Sequence, residues 1–228
     1  MKTLLLFGKN SSIGSYIIQK MINNNKNINI ITTSSKNINT SSNHIYFNLN
    51  DKDSYKNLEK LPKIDYILYT QGKKIYDNIS NFCFNDYQNI MDINLNFIII
   101  SLNILLNHNN LLNSRICIIS SVLQDFANKN KLSYVISKSA IEGLVKSVSV
   151  DLKSKNILIN SILPGPLNTK MTNLNLESKN KLIKNIGYNR LISLEDIYNS
   201  FIYLCFNNNS ITGQSIKVDL GLSIELKY

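Results

Sequence analysis

Short, nearly continuous apolar runs alternate along this chain with longer segments in which apolar residues recur every three or four positions. Residues 3–7 (TLLLF), 28–33 (INIITT), 64–69 (IDYILY), 115–120 (RICIIS) and 157–163 (ILINSIL) have strand length and are rich in β-branched residues. Runs without polar alternation belong to strands covered on both faces, as in a parallel sheet. A first helix is predicted after Gly8, with Ile13, Ile17, Ile18 and Met21 on one side. Further helices are predicted at about 51–60, 84–109, 132–153 and 194–206. A last strand, 215–219 (SIKVD), follows the turn Thr212-Gly213. Strands alternating with helices build βαβ units with right-handed crossovers, so the expected class is α/β with a doubly wound parallel sheet. No linker, repeat or charge block divides the chain. The Asn-rich tracts Asn23 to Asn25 and Asn207 to Asn209 fall between elements and read as loops. A single domain, 1–228, is expected.

Composition adjusts this picture only in places. A chain of 228 residues that is 43% hydrophobic is large enough to close one sizeable core. The longest apolar run, Phe97 to Leu106, is broken by Ser101 and Asn103, so no membrane span is expected. The opening MKTLLLFGKN has a short apolar block and no small-residue cleavage site, which argues against a signal peptide. Cys83, Cys117 and Cys205 form no CxxC pair, and His44 and His108 are too few for a zinc cluster. A reduced, cytoplasmic setting without structural metal follows. Cys117, inside a strand, reads as core, and both histidines read as surface or loop residues. The net charge of +10 arises from scattered lysines, with only Arg115 and Arg190 beside them. Without a basic block, aromatic interleaving or arginine forks, nucleic-acid binding is not expected. The 37 Asn, 35 Ile and 23 Lys all have A/T-rich codons, so base composition accounts for much of the charge.

Three stretches carry candidate chemistry. Gly8-Lys9-Asn10-Ser11-Ser12-Ile13-Gly14 lies between the first strand and first helix, where glycines permit a tight turn and the helix N-terminus offers free N–H groups to a pyrophosphate. An ordinary strand-to-helix turn would read the same way. The second strand runs into Thr32-Thr33-Ser34-Ser35-Lys36, with no carboxylate to bind ribose hydroxyls. Hydroxyls and a lysine suit a 2′-phosphate, although a solvated loop is an equal reading. Tyr134 and Lys138 stand at i and i+4 on one helix face, and a nearby ammonium is expected to draw a phenol pKa toward neutrality. Ser121 lies thirteen residues earlier, at the end of a strand, so all three can face the crevice at the sheet's carboxyl edge.

These residues together resemble the short-chain dehydrogenase/reductase family over essentially the whole chain. The Gly8 to Gly14 turn, Ser121, Tyr134 and Lys138 match the family's motifs in order, and Asn94 in MDINLNF matches its helix asparagine. Asn160 to Thr169 (NSILPGPLNT) resembles the segment beside the nicotinamide, and Ile211-Thr212-Gly213-Gln214 with Val218-Asp219 fits the last strand. The resemblance implies a Rossmann-type single domain and hydride transfer between a nicotinamide cofactor and a carbonyl or alcohol. Tyr134 would be the general acid, Ser121 would polarise the carbonyl, Lys138 would bind the nicotinamide ribose, and Asn94 would support a water relay. Cofactor contacts would come from Gly8, Asn10, Ser11, Ser12, Ile13, Gly14, Ser34, Ser35, Lys36, Asn48, Leu49, Gly72, Tyr134, Lys138, Pro164, Gly165, Leu167 and Thr169. Departures are Phe7 for threonine, Ser12 for the middle glycine, Tyr69-Thr70-Gln71-Gly72 for Asn-Asn-Ala-Gly, Asn48 for aspartate and Leu220 within the usual Asp-Gly-Gly.

The carboxylate-free second-strand end favours NADP(H), with NAD(H) the alternative. The variable stretch 170–190 names no substrate. A 3-oxoacyl thioester on acyl carrier protein is one candidate, and Lys129 and Lys131 could meet an acidic carrier or be solvated loop lysines. A keto-sugar or sugar nucleotide is a second candidate, and a non-catalytic dinucleotide sensor is a different class. Ile98, Ile99, Ile100, Leu102, Leu105 and Leu106 nearly encircle one helix, so a homo-oligomer, a tetramer by the resemblance, is expected.

Overall fold

The computed structural model describes residues 1–24, 27–37, 41–169, 171–172, 175–186 and 188–224, apart from the side chain of residue 185. Seven strands form one sheet, β1 Lys2–Phe7, β2 Ile28–Ser34, β3 His44–Tyr46, β4 Ile64–Tyr69, β5 Leu111–Ile119, β6 Leu158–Pro164 and β7 Ser215–Val218. Their order is β3-β2-β1-β4-β5-β6-β7, and every pairing is parallel. The order reverses between β1 and β4, which opens a crevice at the carboxyl edge there. The doubly wound α/β class is the one that the apolar runs predict.

Each face of the sheet carries its own core. Leu5 and Phe7 of β1, Ile67 and Tyr69 of β4, and Ile116 and Ile118 of β5 pack under α4 (Phe97–Asn107) and α5 (Leu132–Asp151). Leu4, Leu6, Leu68, Cys117 and Ile162 point the other way, onto α1 (Ser12–Asn23) and α7 (Leu194–Phe206). Covering on both faces explains why the strands read as unbroken apolar runs.

Several boundaries differ from the pattern. β3 is only three residues long and sits at the sheet edge, too short to show a run. The helix expected at 51–60 is a 3₁₀ turn, Lys52–Tyr55, followed by the single-turn α2, Lys56–Glu59. β5 starts at Leu111, its polar Asn113 and Ser114 having masked the first half. The variable stretch contains α6, Leu176–Ile186, whose apolar positions are sparse. Residues 170, 173, 174 and 187 of that stretch, and Asn25 of the first Asn tract, lie outside the described residues.

The segment read as one helix over 84–109 is α3 (Phe84–Met91), a π-helical turn (Asp92–Asn96) and α4. Contrary to expectation, Phe84–Asn107 is long and apolar enough by length and composition to cross a membrane, with mean hydropathy 1.6 over 18 residues. Its polar interruptions are too few to offset the surrounding isoleucines and leucines. Ile98, Leu102 and Leu105 pack in the core beside the sheet and Ile90 and Asn94 are also buried, while 39% of the apolar window is covered in all.

Candidate active site

The Gly-rich turn is built around two close approaches. Gly8 has φ +83°, and a Cβ there would lie 2.5 Å from the Gln71 nitrogen. A Cβ on Gly14 would lie 2.5 Å from the Gly8 carbonyl oxygen. Ser11 caps α1, accepting from the Gly14 N–H at 2.9 Å, and its hydroxyl donates to Thr70 Oγ1 at 2.9 Å. Thr70 in turn bonds the Phe7 and Gly8 carbonyls at 2.8 and 2.9 Å, so the residue after β4 locks the turn after β1. The cap leaves the Ser12 and Ile13 N–H groups without helix partners at the positive end of α1. Asn10 and Ser12 also line a shallow cavity of about 230 Å³ with Tyr16 and Leu194.

A second group gathers beside β4 and β5. Lys138 on α5 is 4% exposed, and its Nζ donates to the Ile119 carbonyl at 3.0 Å, 5.8 Å from the Tyr134 ring centre. Burial pushes its pKa down to about 8. Burial raises the Tyr134 pKa, and a hydrogen bond with Ser121 partly offsets the rise. The expectation that the lysine lowers the phenol pKa is therefore corrected: the ammonium turns to Ile119, and desolvation dominates. Tyr134 is thus held as a neutral phenol, the protonated form a general acid needs. Ser121 caps a 3₁₀ turn, Val122–Gln124, accepting from the Leu123 N–H at 3.2 Å.

Asn94, 1% exposed in the π turn, donates to Ser137 Oγ at 2.9 Å and to the Lys73 carbonyl at 3.0 Å. Its Oδ1 accepts from the Lys73 N–H at 2.8 Å. Through these three bonds the side chain holds the loop after β4. A Cβ on Gly72 would fall 3.7 Å from Asn94 Oδ1 and 3.9 Å from both Lys138 Nζ and Met171 Cε. Ser121, Tyr134, Lys138, Asn94 and Gly72 therefore share one crevice.

The remaining candidates flank it. Pro164 ends β6, Gly165 passes within 2.9 Å (as a built Cβ) of Asp219 Cβ, Leu167 is buried, and Thr169 closes a turn with Thr172. Ser34, Ser35, Lys36, Asn48 and Leu49 lie at the β2–β3 end of the same edge, away from Tyr134. The Ser34 hydroxyl closes on Lys36, and the Asn48 side chain is engaged by the Ser35 carbonyl and the Asn50 N–H. Leu49 packs against the core beside α4. The Asn48 backbone separately bonds the Ser54 hydroxyl through both its N–H and its carbonyl, at 3.0 and 3.1 Å.

A family described as "Enoyl-(Acyl carrier protein) reductase" matches residues 11–223. The 3-oxoacyl-[acyl-carrier-protein] reductase of Buchnera aphidicola (subsp. Schizaphis graminum) is 31% identical over 97% of both chains. The chain belongs to the short-chain dehydrogenase/reductase family. It is a nicotinamide-dependent oxidoreductase acting between CH–OH and C=O. Solved structures agree in fold: a gluconate 5-dehydrogenase from Burkholderia cenocepacia bound to NADP and tartrate has TM-score 0.87 at 18% identity, covering 99% of this chain and 96% of its own. The ligand-free Thermoplasma acidophilum aldohexose dehydrogenase has TM-score 0.85 at 21% identity, covering 100% and 96%.

As a short-chain dehydrogenase/reductase, the chain has a site that fits a dinucleotide. The turn has no room for a Cβ at Gly8 or Gly14, and both polar atoms of the Gln71 amide are buried beside it without a partner. Two departures from the family pattern explain each other: Phe7 and Tyr69 stack with centroids 4.7 Å apart, and Tyr69 Oη meets Ser101 Oγ at 2.8 Å. The two aromatic residues are packed against each other within the core.

Motif reading missed four supports: Thr70, Ser137, the Lys9–His44 pair and Asp77. Lys9 Nζ meets His44 Nε2 at 3.0 Å, so His44 is a half-buried strand residue and not a surface or loop one. Asp77, 5% exposed, accepts from the Ser133 N–H at 3.2 and 3.3 Å and from its hydroxyl. Only Thr70 had a signal, in the departure at Tyr69 to Gly72.

Proposed function

We propose that the protein reduces a carbonyl to a secondary alcohol, with a 3-oxoacyl thioester carried on an acidic carrier protein as its substrate class. The observation that carries this is the convergence of Ser121, Tyr134 and Lys138 on the crevice beside Gly72. Ser121 Oγ and the Tyr134 phenol hold the substrate oxygen, and Tyr134 donates its proton as charge develops there. Lys138 keeps a cation near the phenol and offers its remaining donors to the nicotinamide ribose. Asn94 fixes the loop at Lys73 and supports a water relay to solvent. Bound nicotinamide dinucleotide supplies the hydride. Ser12, Ile13, Gly14, Gly8, Asn10 and Ser11 cradle the pyrophosphate, Leu49 and Asn48 border the adenine, and Pro164, Gly165, Leu167 and Thr169 flank the nicotinamide.

NADP(H) is favoured over NAD(H), because no carboxylate follows β2 until Asp51 and Ser34, Ser35 and Lys36 stand at its end. The thioester reading is supported by similarity over 97% of both chains to a relative of that name, and Lys129 stands exposed just before α5. Lys131 instead lies with its buried Nζ 3.4 Å from the centre of the Tyr76 ring and is neither a solvated loop lysine nor open to a carrier. The chain works as one domain carrying both sites, as a cytoplasmic homo-oligomer.

The test is cofactor binding by fluorescence, followed by a panel of 3-oxoacyl thioesters on acyl carrier protein, 2-enoyl thioesters and keto-sugars. NADPH binding with turnover of the 3-oxoacyl thioester is the expected result. Turnover confined to keto-sugars or enoyl thioesters would replace the substrate, and binding without any turnover would make the protein a sensor.

A further inference from the structure

Lys9 is the second residue of the Gly-rich turn, yet its ammonium reaches past β2 to β3 at the sheet edge. Nζ lies 3.0 Å from His44 Nε2, and His44 Nδ1 lies 2.8 Å from Thr32 Oγ1. An ammonium only donates, so Nε2 accepts and Nδ1 carries the ring proton. The ring donates to Thr32, whose hydroxyl donates onward to the Asn43 carbonyl at 3.3 Å. The chain of bonds is complete and has one direction. Burial and the Lys9 charge both lower the His44 pKa, which keeps the ring a neutral acceptor. Lys9 uses one of three N–H donors in this contact, and its ammonium makes no second hydrogen bond among the described residues.

The position of this cation matters. Thr32 pairs with His44 and Ser34 with Tyr46, so the contact stands two residues, roughly 7 Å, from the carboxyl end of β2. That end is where a dinucleotide fold meets the 2′ position of the adenosine ribose. Ser34 cannot freely donate there, since its hydroxyl bonds the Lys36 carbonyl at 2.9 Å. Lys36 itself is exposed, a setting in which a single charge contributes little. We propose that Lys9, stationed by His44, is the residue that reads the cofactor 2′-phosphate, with His44 a positioning residue and Lys36 secondary.

This rests on the reading of the chain as an enzyme that favours NADP(H). The test measures NADPH and NADH dissociation constants by fluorescence titration for the full chain and for Lys9→Met, Lys9→Gln, His44→Leu, His44→Gln and Lys36→Ala. Lys9→Met and Lys9→Gln are expected to weaken NADPH by about 10- to 100-fold and leave NADH within about twofold. NADH binding thereby serves as the folding control. His44→Leu should lower the NADPH-to-NADH preference, and His44→Gln, which keeps an acceptor, should restore most of it. A structural defect would weaken both cofactors together. If the wild type prefers NADPH and both Lys9 variants keep that preference, the assignment to Lys9 is overturned while the NADP(H) reading stands. If the wild type binds NADH as tightly as NADPH, the NADP(H) reading itself fails, and the assignment with it.

Discussion

The Lys138 ammonium donates to a neutral carbonyl, Ile119 at 3.0 Å, at a position only 4% exposed. Its folded pKa of about 8 lies below the ordinary 10.5, so between those values the unfolded chain binds more protons. Stability therefore rises with pH across that window, and the burial penalty, about 3 kcal/mol, is fully present below pH 8. Lys138→Met is expected to stabilise the fold at pH 7 by about 1–3 kcal/mol and to flatten the rise toward pH 10, read by urea unfolding at both ends. A less stable variant would mean that the Ile119 bond outweighs desolvation. The same titration predicts that kcat/KM for reduction declines above about pH 8, as free-enzyme Lys138 loses its charge. Tyr134→Phe removes the proton donor and nothing else of size, so turnover should fall by about 10²- to 10⁴-fold with cofactor affinity kept. Activity within threefold of wild type would take Tyr134 out of the proton path.

The first turn of α5 holds Tyr134 in place, and the clamp on that turn comes from another element. Lys131, the cap position, provides no side-chain acceptor. Asp77 from the β4–α3 connection takes over, bonding Ser133 through its carboxylate and accepting the Leu132 N–H on its carbonyl at 3.2 Å. A carboxylate at the positive helix end is favourable on both hydrogen-bonding and dipole grounds. Asp77→Ala should cost about 1–2 kcal/mol in thermal unfolding and lower kcat, with Asp77→Asn recovering part of both. An unchanged kcat would show that core packing alone sets the register of α5. This clamp also marks where sequence reading ends. Tyr134 and Lys138 were legible because four residues of helix bring them to one face, and Ser121 because a strand end places it. Asp77 and Ser133 are 56 residues apart, Ser11 and Thr70 59, and Lys9 and His44 35, and no periodicity links them. Central strands were legible through burial on both faces, whereas β3, α2 and α6 bury too little apolar surface to leave a pattern.

At the scale of the molecule, the sheet leaves α4 and α5 with one side outward. The sequence pattern placed apolar residues almost all round α4, and the fold buries most of them: Ile98, Leu102 and Leu105 are nearly inaccessible, and Ile100 and Leu106 pack partly on the same core. What remains outside is Ile99 at 42% on α4, with Ile136 at 39% and Val150 at 59% on α5. The excess is smaller than the sequence alone implies, but it lies on two long neighbouring elements and not on loops. A lasting contact between copies buries roughly 1,200–2,000 Å² with an apolar centre, which two helices of 11 and 20 residues are long enough to provide. An isologous pairing would set the same faces against each other twice, so one charged substitution would be felt at two symmetry-related places. Light scattering at micromolar concentration is therefore expected to give a dimer or tetramer for the wild type and a smaller species for Ile99→Lys or Val150→Glu. Each variant changes a residue outside the crevice that holds Tyr134, so cofactor affinity should survive the loss of assembly. A monomeric wild type would mean that these side chains are exposed in solution and that the chain functions alone.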